Sequence, residues 1–182
     1  MLFVRKSSKQ LNRNFSIHWW AIFCISYCFF TFAITMQSVK AEAPSFISLG
    51  AGYYDPFKGD QAAAEARIEY RHGERFWLFK PFAGATLTSD PSYFGYAGVL
   101  TDVYFGKRLV VSPSVAAGAY LRHNGKDMGS VFQIRSGLEI AYRFDNRSRL
   151  GVIFYHFSNA GLGDDRNPGS EAISLTYSIP LN

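Results

Sequence analysis

From residue 46 onward, apolar and polar side chains alternate with a period of two, in runs separated by Gly, Asp, Asn and Pro. That is the signature of strands, and no stretch of this region carries the 3.6-residue period of a helix. In 61–71, Ala62, Ala64, Ala66, Ile68 and Tyr70 share one parity, and Glu65, Arg67, Glu69 and Arg71 the other. In 130–145, Phe132, Ile134, Leu138, Ile140, Tyr142 and Phe144 alternate with Gln133, Arg135, Gly137, Glu139 and Arg143. In 170–180, Glu171, Ile173, Leu175, Tyr177 and Ile179 alternate with Ala172, Ser174, Thr176 and Ser178. The punctuation predicts strands at 46–54, 61–71, 76–88, 92–105, 107–120, 130–145, 147–159 and 170–180. Most are long enough to cross a bilayer obliquely, and eight is the smallest usual strand number for a closed membrane barrel.

Parity by itself does not say which face points inward. The polar parity mixes signs, Glu65, Glu69 and Glu139 with Arg67, Arg135 and Arg143, as a closed interior needs if its charges are to be paired. The other parity is rich in Phe and Tyr, as a lipid-facing wall with aromatic girdles should be. The start of the chain favours the membrane. Arg5, Lys6, Lys9 and Arg13 precede an apolar run from Trp19 to Met36, and the small-residue stretch Ser38-Val39-Lys40-Ala41 follows. This describes a secretory leader over residues 1–41, cut after Ala41; an uncleaved anchor is the competing reading, because the apolar run is long.

Removing the leader changes the charge balance. The formal +5 of the whole chain falls to neutrality, since residues 1–41 hold five basic and no acidic residues, leaving 14 Lys and Arg against 14 Asp and Glu. Nucleic acid is thereby excluded as a partner, because the folded part has no surplus of positive charge. Cys24 and Cys28 both lie in the leader, so residues 42–182 contain no thiol for a disulfide, a metal or catalysis. The expectation is a single all-β domain over 42–182: an eight-stranded antiparallel transmembrane β-barrel of the bacterial outer membrane.

Reactive side chains concentrate in the last predicted hairpin. Strand 147–159 ends His156-Phe157-Ser158-Asn159, a polar loop follows, and Glu171 opens the final strand. Residues two apart on a strand share a face, so His156 and Ser158 project together, about 7 Å apart along the chain. A regular hairpin that pairs His156 with Glu171 brings all three onto one wall. Nucleophilic acyl transfer needs this set: a hydroxyl (Ser158), a base (His156), and a carboxylate to orient and charge-balance the base (Glu171). The wall is the apolar one, shared with Leu150, Val152 and Phe154, so a lipid-facing wall would carry the set outside the barrel.

The segment from Tyr155 to Glu171, His156-Phe157-Ser158-Asn159-Ala160 followed by Asn167-Pro168-Gly169-Ser170-Glu171, resembles the lipid A 3-O-deacylase family, the PagL-like outer-membrane enzymes. The resemblance implies that His156, Ser158 and Glu171 form a catalytic triad. It also implies that Asn167 stabilises the oxyanion and that Asn159 supports the site. It implies a serine esterase that removes the 3-O-linked hydroxyacyl chain from lipid A in lipopolysaccharide, needing no metal or cofactor. Its partners would be lipopolysaccharide and membrane lipid, with homodimer formation left open. A non-enzymatic small outer-membrane barrel, structural or channel-forming, is the alternative. The chain departs from the usual barrel ending, in that Tyr177 stands several residues before Asn182.

Other polar groups carry weaker signals. Asp164, Asp165 and Asn167 fit no Ca²⁺ loop, and His72 and His123 sit at turns without a metal-ligand partner at useful spacing. Trp77 suits an interfacial anchor. Arg147, Arg149 and Arg166 flank the hairpin and are candidates to meet lipid A phosphates.

Overall fold

The computed structural model describes residues 43–57, 61–162 and 166–181, and the leader expected over residues 1–41 lies outside the described residues. Among the described residues there are nine strands: β1 Ser45–Tyr54, β2 Ala63–Arg71, β3 Lys80–Thr88, β4 Ser92–Leu100, β5 Val103–Phe105, β6 Leu109–Arg122, β7 Phe132–Arg143, β8 Arg149–Ser158 and β9 Ser170–Leu181. All pair antiparallel in the order β4-β3-β2-β1-β9-β8-β7-β6-β5, and a β4–β6 ladder closes the sheet on itself.

Nine strands make eight staves, because β4 and β5 are one strand interrupted. Leu100 pairs with Ser114 and Val103 with Val111, a single continuous register. The break at Thr101 and Asp102 faces Pro113, whose ring has no N–H to donate to the ladder. The Pro113 carbonyl still accepts from the Thr101 N–H at 3.1 Å, which keeps the two halves in line. A second difference from the expected spans has a similarly local cause. The strand predicted from 76 begins only at Lys80, because Phe76 and Phe79 close a tight turn with Trp77 at a φ of 59°.

The structure resolves which parity points inward. On β2, Ala63, Glu65, Arg67, Glu69 and Arg71 are buried while Ala64, Ala66, Ile68 and Tyr70 are not. Leu49, Leu138, Ile140, Leu175 and Ile179 likewise face outward. The barrel therefore turns its charged residues inward and an apolar wall outward, as a bilayer demands.

The interior is filled in three decks. At the end where β1 finishes and β9 begins, aromatic rings interlock: Phe94 stacks on Phe157 with centroids 5.1 Å apart, and Tyr54 and Tyr120 pack against the same ring. Below them lies an ionic deck. Arg71 grips Glu139 through two hydrogen bonds of 2.9 and 2.6 Å and also reaches Glu69, which Arg67 pairs as well. Arg135 lies over the rings of Tyr155 and Tyr96, at 4.3 and 4.8 Å. At the other end, Asp102 receives Lys80, Ser112 and both Nη groups of Arg149. Charges this deep are tolerated because each has a partner; a lone one costs several kcal/mol. Arg149 is thus a buried lumen residue, and the expectation that it meets lipid phosphates is corrected. Its parity with Gly151, Ile153 and Tyr155 turns it inward.

Candidate active site

The β8–β9 hairpin is regular, and its register places His156 directly opposite Glu171. Their side chains meet on the outer wall, with His156 Nδ1 3.0 Å from Glu171 Oε1. Ser158 lies two residues further along β8 on that same wall, beyond Phe154 and His156. The imidazole keeps 41 % of its surface exposed and the carboxylate 22 %, so the pair is open to the membrane side while the carboxylate is the more sheltered partner. A carboxylate accepts at Nδ1 only if that nitrogen carries the proton, which leaves Nε2 as the acceptor for a hydroxyl.

The segment between the strands packs tightly on this pair. Gly169, at a φ of 60°, rests against the imidazole: a Cβ there would stand 2.7 Å from Cε1 and 3.3 Å from Nε2 of His156. Only glycine satisfies both the left-handed backbone and the missing space. Glu171 is pinned from the other side, its carbonyl accepting the Asp55 N–H at 2.7 Å.

Asn167 and Asn159 divide the remaining work. Asn167 Oδ1 accepts the Asn159 N–H at 3.2 Å. A backbone N–H can only donate, so the oxygen of that side-chain amide must face it and the Nδ2 donor is turned away. That contact sits at the peptide immediately after Ser158. Asn159 is fully buried and faces inward; its Nδ2 donates to Arg166 O and Met128 O at 2.9 and 3.3 Å, and its Oδ1 accepts the Gly161 N–H. Asn159 ties loops together, and its own N–H, already engaged, is not available to an oxyanion.

The β6–β7 loop, residues 123–131, joins the site although no pattern in the chain marked it. Gly129, at a φ of 73°, lies flush on the Arg166 carbonyl, where any side chain would collide. Asp127 accepts the Gly129 N–H at Oδ1 and holds Arg166 and Arg122 at Oδ2, 3.2 and 2.9 Å away. The Gly129 N–H first, then the two guanidinium charges, hold its carboxyl below the usual carboxylate range. Lys126 pairs with Asp55 at 2.8 Å, and Met128 is buried beneath the Tyr54 hydroxyl.

The three candidates for phosphate contact therefore separate. Arg166 is beside the site but engaged with Asp127, Arg149 is in the lumen, and Arg147 sits in the turn at the opposite end of β8. Among the described residues no group of three or more His, Cys, Asp or Glu side chains is placed to hold a metal.

A closed eight-stave barrel, charged and filled within, apolar without, and carrying a His–Glu pair on its outer wall, belongs to the class of outer-membrane β-barrels. Within that class the match is specific: residues 28–180 match the family Lipid A 3-O-deacylase (PagL), and the chain belongs to it. It is 30% identical over 74 residues to the lipid A deacylase PagL of Bordetella bronchiseptica (strain ATCC BAA-588 / NCTC 13252 / RB50), an alignment covering 40% of this chain and 41% of that protein. In fold it is similar to the crystal structure of the outer membrane enzyme PagL, with a TM-score of 0.57 and 19% identity over 75% of this chain and 99% of the other.

Proposed function

We propose that this protein is a lipid A 3-O-deacylase working as a serine esterase, with Ser158 as nucleophile, His156 as base and Glu171 as the carboxylate that orients it. The observation that carries the reading is the 3.0 Å His156–Glu171 contact on the bilayer-facing wall, with Ser158 on the same face. An ionisable pair exposed toward lipid is costly and marks function; an ester buried in a membrane is the substrate that such a placement suits. The site lies at the end away from the chain's paired strand termini, Ser45 and Leu181, and on the side of the longer β8–β9 loop. Longer loops face the cell exterior in such barrels, which supports a site at the lipopolysaccharide leaflet.

The reaction follows from the groups. His156 Nε2 takes the proton of Ser158 Oγ as that oxygen attacks the acyl carbonyl. The oxyanion is met by Asn167 Nδ2, a preformed donor of the kind whose loss costs about a hundredfold or more in rate. Collapse transfers the proton from Nε2 to the departing glucosamine O3. Water, deprotonated by the same nitrogen, then splits the acyl-serine and releases the 3-hydroxy fatty acid. The leader, removed after Ala41, would deliver residues 42–182 to the outer membrane. A channel is the less suited reading, because interlocked rings and ion pairs occupy the interior.

Mass spectrometry of lipid A from cells expressing the chain should show the loss of one hydroxyacyl group, and Ser158→Ala should abolish it. Undiminished loss in the Ser158→Ala strain would remove Ser158 as the nucleophile.

A further inference from the structure

We infer that Asp127 and Gly129 of the β6–β7 loop are positioning residues for the hairpin site, clamping the Arg166 carbonyl and, through it, the side-chain amide of Asn167. The inference rests on the esterase reading above and adds to it a stretch of chain some 30 residues away in sequence.

The clamp has two jaws on one carbonyl. Asn159 Nδ2 donates to Arg166 O from beneath at 2.9 Å, and the α-carbon of Gly129 closes on it from the neighbouring loop. Neither jaw can shift freely. Asn159 is buried and holds Met128 O as well, so both loops hang from one amide. Gly129 is fixed by the Asp127 carboxylate, whose second oxygen grips the guanidinium of Arg166 itself. The residue after Arg166 is Asn167, whose amide oxygen meets the Asn159 N–H at 3.2 Å. With the carbonyl on one side and that contact on the other, Asn167 has little freedom left, and its donor is held ready before substrate arrives. Preorganisation of this kind is what makes an oxyanion donor effective, and a displacement of about 1 Å can cost on the order of a hundredfold. A side chain at 129 would push the Arg166 carbonyl and carry Asn167 with it.

The test uses the purified full chain in detergent micelles with lipid A as substrate, measuring released 3-hydroxy fatty acid. Heat-modifiable electrophoretic mobility reports the folded barrel. Gly129→Ala should lower kcat by about tenfold or more with KM within about twofold, and slow fluorophosphonate labelling of Ser158 in parallel. Asp127→Ala should do the same to a lesser degree, and Asp127→Asn, which keeps the acceptor for the Gly129 N–H, should recover part of the loss. On an Asn167→Ala background, Gly129→Ala should add less than about twofold, because the group it positions is gone. Gly106→Ala, also at positive φ but with open space around it in a turn at the other end, should keep full activity. Wild-type kcat in Gly129→Ala, an equal loss in Gly106→Ala, or full multiplication of the Gly129 and Asn167 effects would each overturn the clamp. If Gly129→Ala yields no folded barrel, Asp127→Ala alone and on the Asn167→Ala background carries the same criteria. Failure of the esterase reading looks different: Ser158→Ala would retain activity, whatever the loop variants do.

Discussion

At the scale of single residues, the site is held by contacts that leave no room for a methyl group. Gly169 is the sharpest case. A Cβ would lie 2.7 Å from the His156 ring, and the backbone there is left-handed. Gly169→Ala should therefore tilt the imidazole away from Glu171 and lower kcat by about tenfold to a hundredfold, while the barrel still migrates as a folded band. Normal turnover in that variant would show that the ring tolerates displacement. The shared wall of His156, Ser158 and Glu171 is legible in the chain, because a two-residue spacing fixes a shared face and a regular hairpin pairs His156 with Glu171. Gly169 stands in plain view in the sequence, but only as one residue of the polar loop before Glu171. The cause of its constraint, the ring of His156, lies 13 positions earlier. The roles of Gly129 and Met128 are illegible in the sequence, since nothing local in 123–131 announces a contact with Asn159 or Arg166.

At the scale of elements, alternation predicted the staves well and their interruptions badly. Period two reports which residues share a wall, and eight staves emerged close to their expected limits. It does not report where a ladder loses a donor on the facing strand. Pro113 on β6 opens the gap between β4 and β5, and the gap has a use. Asp102, released from the ladder, turns inward to receive Lys80, Ser112 and Arg149. Asp102→Ala would leave two buried cations without their anion, a loss of about 3–5 kcal/mol. The variant should unfold at clearly lower temperature in a heat-modifiability series, yet match the wild-type rate where it remains folded, because the deck lies at the far end from Ser158. An unchanged melting midpoint would mean that water satisfies Lys80 and Arg149. Arg149 shows the reverse lesson. Its inward parity with Gly151 and Ile153 is legible in the chain, and lying on the same strand as His156 does not bring it to the outer wall.

At the scale of the whole molecule, two readings of one alternating pattern competed: a soluble barrel with an apolar core and a membrane barrel with a polar one. Parity is symmetric between them, so the choice from sequence turns on the secretory leader expected over residues 1–41. The structure breaks the symmetry directly, through the buried Glu69, Arg71 and Glu139 cluster and the exposed Leu138, Ile140 and Leu175. Filling the lumen has a further effect. With rings and ion pairs occupying the axis, every route to Ser158 runs along the exterior.

On the proposed function, an outer wall that carries His156 and Glu171 makes encounter with substrate a two-dimensional event. Substrate would arrive by sliding within its own sheet of amphiphiles, never by leaving it for water. The relevant concentration is then a mole fraction in the interface, not moles per litre. Diluting mixed micelles with inert detergent, at constant total lipid A, should slow turnover in proportion, whereas adding buffer alone should leave it unchanged. A rate that instead followed bulk molarity would mean that catalysis draws on dissolved monomers and that the outward placement confers nothing.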